Sequence, residues 1–194
     1  MHKLSMPSAA LAACLLIASG SAAAHTFGAA GAGLAQGFAH PFLGADHLLA
    51  MLAVGIWSAL QGGRSLWQLP LAFVAAMSLG GWLGLEGLGW GQVEPLIALS
   101  VVVLGLLVAS RTAFSGAAGV ALVALFALFH GYAHGAEIPE AAAPLPYAAG
   151  FLLATAVLHG LGLALGLSSR RWHLLPRLGG AAIAATGVYL LTGL

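Results

Sequence analysis

The stretch HPFLGADHLLAMLAVG, residues 40 to 55, carries three ionisable side chains into an apolar run and decides how the rest of the chain is interpreted. It lies within an apolar stretch, residues 37–61, that is long enough to cross a bilayer core of about 30 Å. Ionisable groups inside a membrane are costly unless they are paired, face water or bind something. The stretch therefore predicts a membrane helix with a functional site at one end.

The composition places the whole chain in the membrane. Of its 194 residues, 61% are hydrophobic and 6% are charged, whereas soluble domains have about 25% charged residues. Six basic and five acidic residues give a net charge of +1, too few for a nucleic-acid surface. We expect an all-α, polytopic protein whose partner is the lipid bilayer, with no nucleic acid bound.

The N-terminus has the pattern of a secretory signal peptide. A basic residue at Lys3, an apolar run and small residues at Ala22 and Ala24 predict a signal over residues 1–24, cleaved after Ala24. An uncleaved first helix and a lipoprotein signal ending at Cys14 are the alternatives. Cleavage would leave a mature chain without cysteine or lysine, which excludes disulfides, thiolate ligands and catalytic lysines.

Six apolar stretches of spanning length follow, so residues 25–194 are expected to form one transmembrane domain of six helices. The predicted spans are roughly residues 37–61, 68–88, 94–110, 117–137, 147–169 and 178–194. The arginines fall in alternate loops, the first, third and fifth. Because cytoplasmic loops are enriched in arginine and lysine, these three loops are expected in the cytoplasm. Both ends of the mature chain are then expected outside the cytoplasm.

A second polar motif, FHGYAHGAE at residues 129 to 137, lies at the end of the fourth span. His130, His134 and Glu137 stand at positions i, i+4 and i+7 and share one helix face. Spans 1 and 4 run antiparallel, so the two motifs should occupy the same outer part of the bilayer. We expect His40 near the depth of Glu137, and Asp46 with His47 near His130.

Pro41 is tolerated in a first helical turn, so His40 is expected to cap or just precede the first span. His40 and His47 would share a face if that helix is regular. Tyr147 is expected in an interfacial aromatic belt together with several other aromatic residues near span ends. Two glycine pairs, Gly131 with Gly135 and Gly162 with Gly166, have the spacing of closely packed membrane helices.

Neutral imidazoles and carboxylates without thiolates suit divalent first-row ions such as Ni²⁺, Co²⁺ or Zn²⁺. The candidate metal ligands are His40, Asp46, His47, His130, His134, Glu137, His25 and His159. His25 would begin the mature chain, and His159 could act as a deeper relay in span 5. Hydrogen bonding between helices is the alternative role for these histidines, and His173 is expected to face lipid headgroups from the inner loop.

These residues resemble the HupE/UreJ family of nickel permeases. HPFLGADH fits the family pattern H-x5-D-H, and FHGYAHGAE fits F-H-G-x-A-H-G-x-E, at every defined position. The resemblance covers essentially the whole chain. It implies a bacterial inner-membrane transporter that imports Ni²⁺, or Co²⁺ as in some relatives, for hydrogenase or urease maturation.

The leading hypothesis is therefore a secondary importer of a divalent metal ion, with both mature termini in the periplasm. It is not expected to be an enzyme, to hold a permanently bound cofactor or to need an ATPase subunit, since no nucleotide-binding loop is present. Two alternatives remain open at this point. One is an intramembrane metalloenzyme, and the other is a membrane metal sensor or chaperone.

Overall fold

The computed structural model describes residues 33–87, 89–114, 116–138, 143–172 and 174–193. The predicted signal peptide, His25 and His173 lie outside these ranges. All regular structure in the described part of the chain is helical. The helices are α1 (Leu34–Leu43), α2 (Ala45–Gln61), α3 (Ser65–Leu85), α4 (Glu94–Ser110), α5 (Gly116–Ala136), α6 (Pro144–Ser169) and α7 (Leu174–Thr192).

The first predicted span is two helices, which corrects the expectation of one regular helix. α1 and α2 meet at Gly44 and are bent by 85°. Pro41 lies in the last turn of α1, where it has no N–H to continue the helical hydrogen bonds, and Gly44 is extended, with φ −96° and ψ 119°. His40 therefore lies near the end of a helix that begins six residues before it, and does not cap the next one.

Membrane-spanning character is clear for most of the helices. α3, α5, α6 and α7 are each long and apolar enough to cross a bilayer, and the bent pair α1–α2 passes the same test as a unit. α4 is apolar but has only 17 residues, at the lower limit for a span. The chain is thus a multi-pass membrane protein, and six crossings remain a prediction.

Glycines bring the helix backbones into direct contact, as their spacing predicted. Gly131 and Gly135 of α5 lie against the backbones of Met77 and Gly81 of α3, where a Cβ atom would have no room. Gly162 and Gly166 of α6 contact α2 in the same way, and Gly105 of α4 contacts α7. In lipid, where apolar surface gives little driving force between helices, such close packing holds the bundle together.

The loops after α2, α4 and α6, which carry Arg64, Arg111, Arg170 and Arg171, gather at one end of the bundle, whereas Arg177 lies in the first turn of α7 and not in a loop. There the Trp57 indole N–H donates to the Thr112 carbonyl at 2.9 Å, and the Phe114 N–H donates to Gln61 Oε1 at 3.1 Å. The Arg170 guanidinium donates to the carbonyl of Ala59. These bonds join the ends of α2, α4 and α6. The histidine motifs lie at the opposite end of the bundle.

Candidate metal centre

Four imidazole rings from three helices form a continuous cluster at the end of the bundle away from the arginines. The ring centroids of His40 and His134 are 4.7 Å apart, those of His134 and His47 are 4.2 Å apart, and those of His47 and His130 are 4.7 Å apart. His134 therefore lies between the two rings of the first motif. The structure brings together the four histidines of the two motifs and pairs His40 with His134 and His47 with His130.

The break at Gly44 is what places both histidines of the first motif in this cluster. His40 comes from the end of α1 and His47 from the first turn of α2, and their ring centroids are 6.5 Å apart. On the α5 side, His130 and His134 follow from i, i+4 spacing on one helix face. Gly131 and Gly135, each next to one of these histidines, hold α5 against α3.

Asp46 orients His47. Asp46 Oδ1 accepts hydrogen bonds from the His47 backbone N–H and from His47 Nδ1, both at 2.7 Å. The backbone bond satisfies one of the N–H groups left free at the start of α2. The ring bond directs the other nitrogen, Nε2, into the cluster, an arrangement common for histidines that ligate metals.

The outer side of the cluster is formed by His40, His134 and Glu137. One potential ligand atom from each lies within 4.8 Å of the other two. His134 is buried, His40 is half-buried and Glu137 is exposed. The group therefore extends from solvent-accessible surface to the buried rings.

Several nitrogen atoms of the cluster are buried without a hydrogen-bond partner among the described residues. These atoms are His47 Nε2, His130 Nδ1 and both ring nitrogens of His134. Buried polar atoms are nearly always hydrogen-bonded, and exceptions require an explanation such as an absent ion or water. Converging imidazole nitrogens of this kind are suitable ligands for Ni²⁺, Co²⁺ or Zn²⁺.

His159 lies outside the cluster, on the far side of one aromatic ring. The Phe73 ring centroid is 5.9 Å from that of His130 and 5.0 Å from that of His159. His159 is 2% exposed, and neither ring nitrogen has a hydrogen-bond partner within the described ranges. It is thus a separate buried imidazole deeper in the bundle.

Two further polar residues contact the cluster, and sequence reasoning missed both roles. Tyr147, expected in an interfacial belt, is instead 2% exposed, and its hydroxyl is 2.8 Å from His40 Nδ1. Ser100 of α4 is fully buried, and its hydroxyl is 2.8 Å from His130 Nε2. The only signal for Ser100 in the sequence is a hydroxyl within an apolar run, and such a hydroxyl is also typical of a bond to the helix's own backbone.

The fold and the site together define a class: a multi-pass helical membrane protein with a buried cluster of imidazoles near one end. The family model described as HupE / UreJ protein matches residues 12–190. The protein called Protein HupE from Rhizobium leguminosarum bv. viciae is 45% identical over 165 residues, covering 83% of this chain and 85% of that protein. The chain belongs to the HupE/UreJ family, which confirms the resemblance, and no solved structure matches it.

Proposed function

We propose that this protein imports a divalent transition-metal ion across the bacterial inner membrane, with Ni²⁺ as the leading candidate and Co²⁺ as the next. The observation that carries the proposal is the set of buried imidazole nitrogens without partners, next to the group of His40, His134 and Glu137. Membership of the HupE/UreJ family supports it. Delivery to hydrogenase or urease maturation is part of the proposal.

The arrangement of the ligands suggests a path for the ion. The exposed Glu137 carboxylate attracts a hydrated cation, and His40 and His134 replace part of its water shell. His47 Nε2 and His130 Nδ1 then receive the ion deeper in the protein. At each stage some of the ion's ligands are imidazole nitrogens and some are water molecules. No single site therefore binds the ion so tightly that it cannot be released.

His159 is proposed as the next imidazole on this path. Phe73 lies between it and His130, so transfer inward requires this ring to move. The hydrogen-bonded ends of α2, α4 and α6 close the opposite side of the bundle. Their opening would release the ion to the cytoplasm.

Six membrane crossings fit this function, with α1–α2 as one broken crossing and α4 as a short one. The arginine-bearing loops then lie in the cytoplasm, and the histidine cluster and both termini of the mature chain face the periplasm. A membrane potential that is negative inside favours entry of a dication by about 4.6 kcal/mol per 100 mV. Import would then need no ATPase subunit.

Radiometal uptake into proteoliposomes tests the proposal. The purified protein should accumulate nickel inside vesicles when an inside-negative potential is imposed, and empty vesicles should not. Competition with unlabelled Co²⁺ and Zn²⁺ ranks the ions. Binding of nickel without accumulation would contradict import and favour a sensor or chaperone.

A further inference from the structure

Ser100 belongs to neither histidine motif, but it is fully buried and makes two hydrogen bonds at the edge of the cluster. Its hydroxyl oxygen is 2.6 Å from the Ile97 carbonyl oxygen and 2.8 Å from His130 Nε2. Ser100 and His130 are both 0% exposed, so water does not compete for these contacts. The Ser100 hydroxyl and His130 Nε2 must therefore find their hydrogen-bond partners within the protein.

Counting protons fixes the direction of both bonds. A carbonyl oxygen only accepts, and a serine hydroxyl has one proton. Two oxygens 2.6 Å apart require a proton between them, so the Ser100 hydroxyl donates to Ile97. The same hydroxyl can then only accept from His130, and Nε2 of His130 must carry a hydrogen.

In a neutral imidazole the other nitrogen then has the free lone pair. For His130 this is Nδ1, the atom that is buried without a partner among the described residues. At His47 the opposite holds, because Nδ1–H donates to Asp46 and Nε2 is the unpartnered atom. The two neighbouring imidazoles are thus held in opposite tautomers.

Resting on the proposed function, we propose that Ser100 is a positioning residue that holds His130 in its Nε2–H tautomer, so that His130 binds the transported ion through Nδ1. Ser100 acts from α4, a helix that carries no motif histidine. It contributes through His130 and does not itself ligate the ion. Loss of such an outer partner lowers metal affinity by about tenfold to a hundredfold in other metal sites.

Nitrogen NMR of the metal-free protein labelled with ¹⁵N in its imidazoles tests the tautomer directly. The His130 signals are assigned by their loss in His130→Gln. The wild type should show protonated Nε2 and unprotonated Nδ1 at His130, and Ser100→Ala should show a mixture or the other tautomer. Protonated Nδ1 in the wild type, or an unchanged spectrum in Ser100→Ala, would overturn the inference.

Nickel affinity, measured by calorimetry on the same variants, gives the second readout. Ser100→Ala should weaken binding by about tenfold or more, and Ser100→Thr, which keeps the hydroxyl, should restore it. Ser58→Ala is the matched control, because Ser58 is also fully buried and donates at 2.6 Å to a helix carbonyl, that of Val54.

The two proposals fail differently in this experiment. No nickel binding or uptake by the wild type would contradict the proposed function, whatever the NMR shows. Nickel binding by the wild type with equal affinity in Ser100→Ala would contradict only the role of Ser100. An equal loss in Ser58→Ala and Ser100→Ala would also contradict it, since both would then act through helix stability.

Discussion

At the scale of single residues, the candidate site is a series of neighbouring imidazole rings, and each ring has a different environment. His47 is oriented by Asp46, His130 contacts Ser100, and His40 contacts Tyr147. His134 has no hydrogen-bond partner within the described ranges and packs against Phe151, with ring centroids 3.8 Å apart. Its two nitrogens are therefore free for a ligand.

Replacing His134 should have the largest effect of any single histidine. It contacts both His40 and His47, so His134→Ala interrupts the cluster between its outer and inner members. We expect nickel affinity to fall by more than about tenfold and uptake to be lost, with the protein still present in the membrane. Calorimetry and vesicle uptake measure the two effects.

His173→Ala is the matched control for this change, since the sequence places His173 in a loop away from both motifs. It should bind and transport as the wild type does. Equal uptake in wild type and His134→Ala would show that the ion does not pass through the imidazole cluster.

At the scale of helices, the break between α1 and α2 is the feature that completes the site. Without a bend of 85°, His40 would lie two turns along the same axis from His47, about 10 Å away. With the bend, the two rings are 6.5 Å apart and both reach His134. For the second motif, the helical period of 3.6 residues correctly predicted that the histidines share one face, because α5 is unbroken there.

Adding one methyl group at the break should disturb the site without unfolding the protein. A Cβ atom at Gly44 would lie 2.8 Å from Asp46 Oδ1 and 3.3 Å from His47 Nδ1, so Gly44→Ala should displace the hydrogen-bonded pair. We expect weaker nickel binding, with a thermal midpoint in detergent near that of the wild type.

Gly179→Ala is the control, because a Cβ atom there meets nothing within 4 Å. It should leave nickel binding unchanged and should not lower stability, because alanine is more favourable than glycine in an exposed helix interior. Nickel affinity that is the same in Gly44→Ala and the wild type would mean that the Asp46–His47 pair is not needed in its present position.

The glycine contacts between α3 and α5 make a prediction about stability. A Cβ atom at Gly135 would meet the backbone of Gly81, which cannot move aside as a flexible side chain can. Gly135→Ala should separate the helices and cost about 1–3 kcal/mol, as overpacking does in other cores. Thermal unfolding in detergent, compared with Gly179→Ala, measures this, and equal midpoints would contradict the close packing.

At the scale of the whole molecule, the arginine loops and the histidine cluster lie at opposite ends of the bundle. The alternation of arginines along the sequence predicted this separation, and the hydrogen bonds among Trp57, Gln61, Thr112 and Phe114 show the end to which those loops belong. A candidate metal centre at one end and hydrogen-bonded helix ends at the other are the arrangement that the proposed import function needs in its resting state.

Labelling of single cysteines in spheroplasts tests the orientation. Cys14 is the only cysteine in the sequence and lies in the predicted signal, so an introduced cysteine would be the only one in the mature chain. Gly89→Cys, in the loop between α3 and α4, should react with a membrane-impermeant maleimide. Ala113→Cys, between α4 and α5, should react only after permeabilisation.

Both positions are exposed in the structure, so access depends on the side of the membrane. The reverse pattern would place the histidine cluster in the cytoplasm. Equal labelling of both before permeabilisation would mean that α4 does not cross the bilayer.

The sequence by itself determined the helical membrane character, the spacing of the second motif and the glycine contacts. These follow from local hydrophobicity, from the 3.6-residue period and from side-chain size, which need no knowledge of neighbours. Helix bounds were also close, since apolar stretches end where polar loops begin.

The tertiary structure alone decided which residues complete the site. Ser100 and His130 are 30 positions apart, and His40 and Tyr147 are 107 positions apart, so no local pattern relates them. The first contact depends on how α4 packs against α5, and the second on how α6 packs against α1. The bend at Gly44 belongs here too, because the pairing of His40 with His134 across the bundle can be recognised only after the helices are assembled.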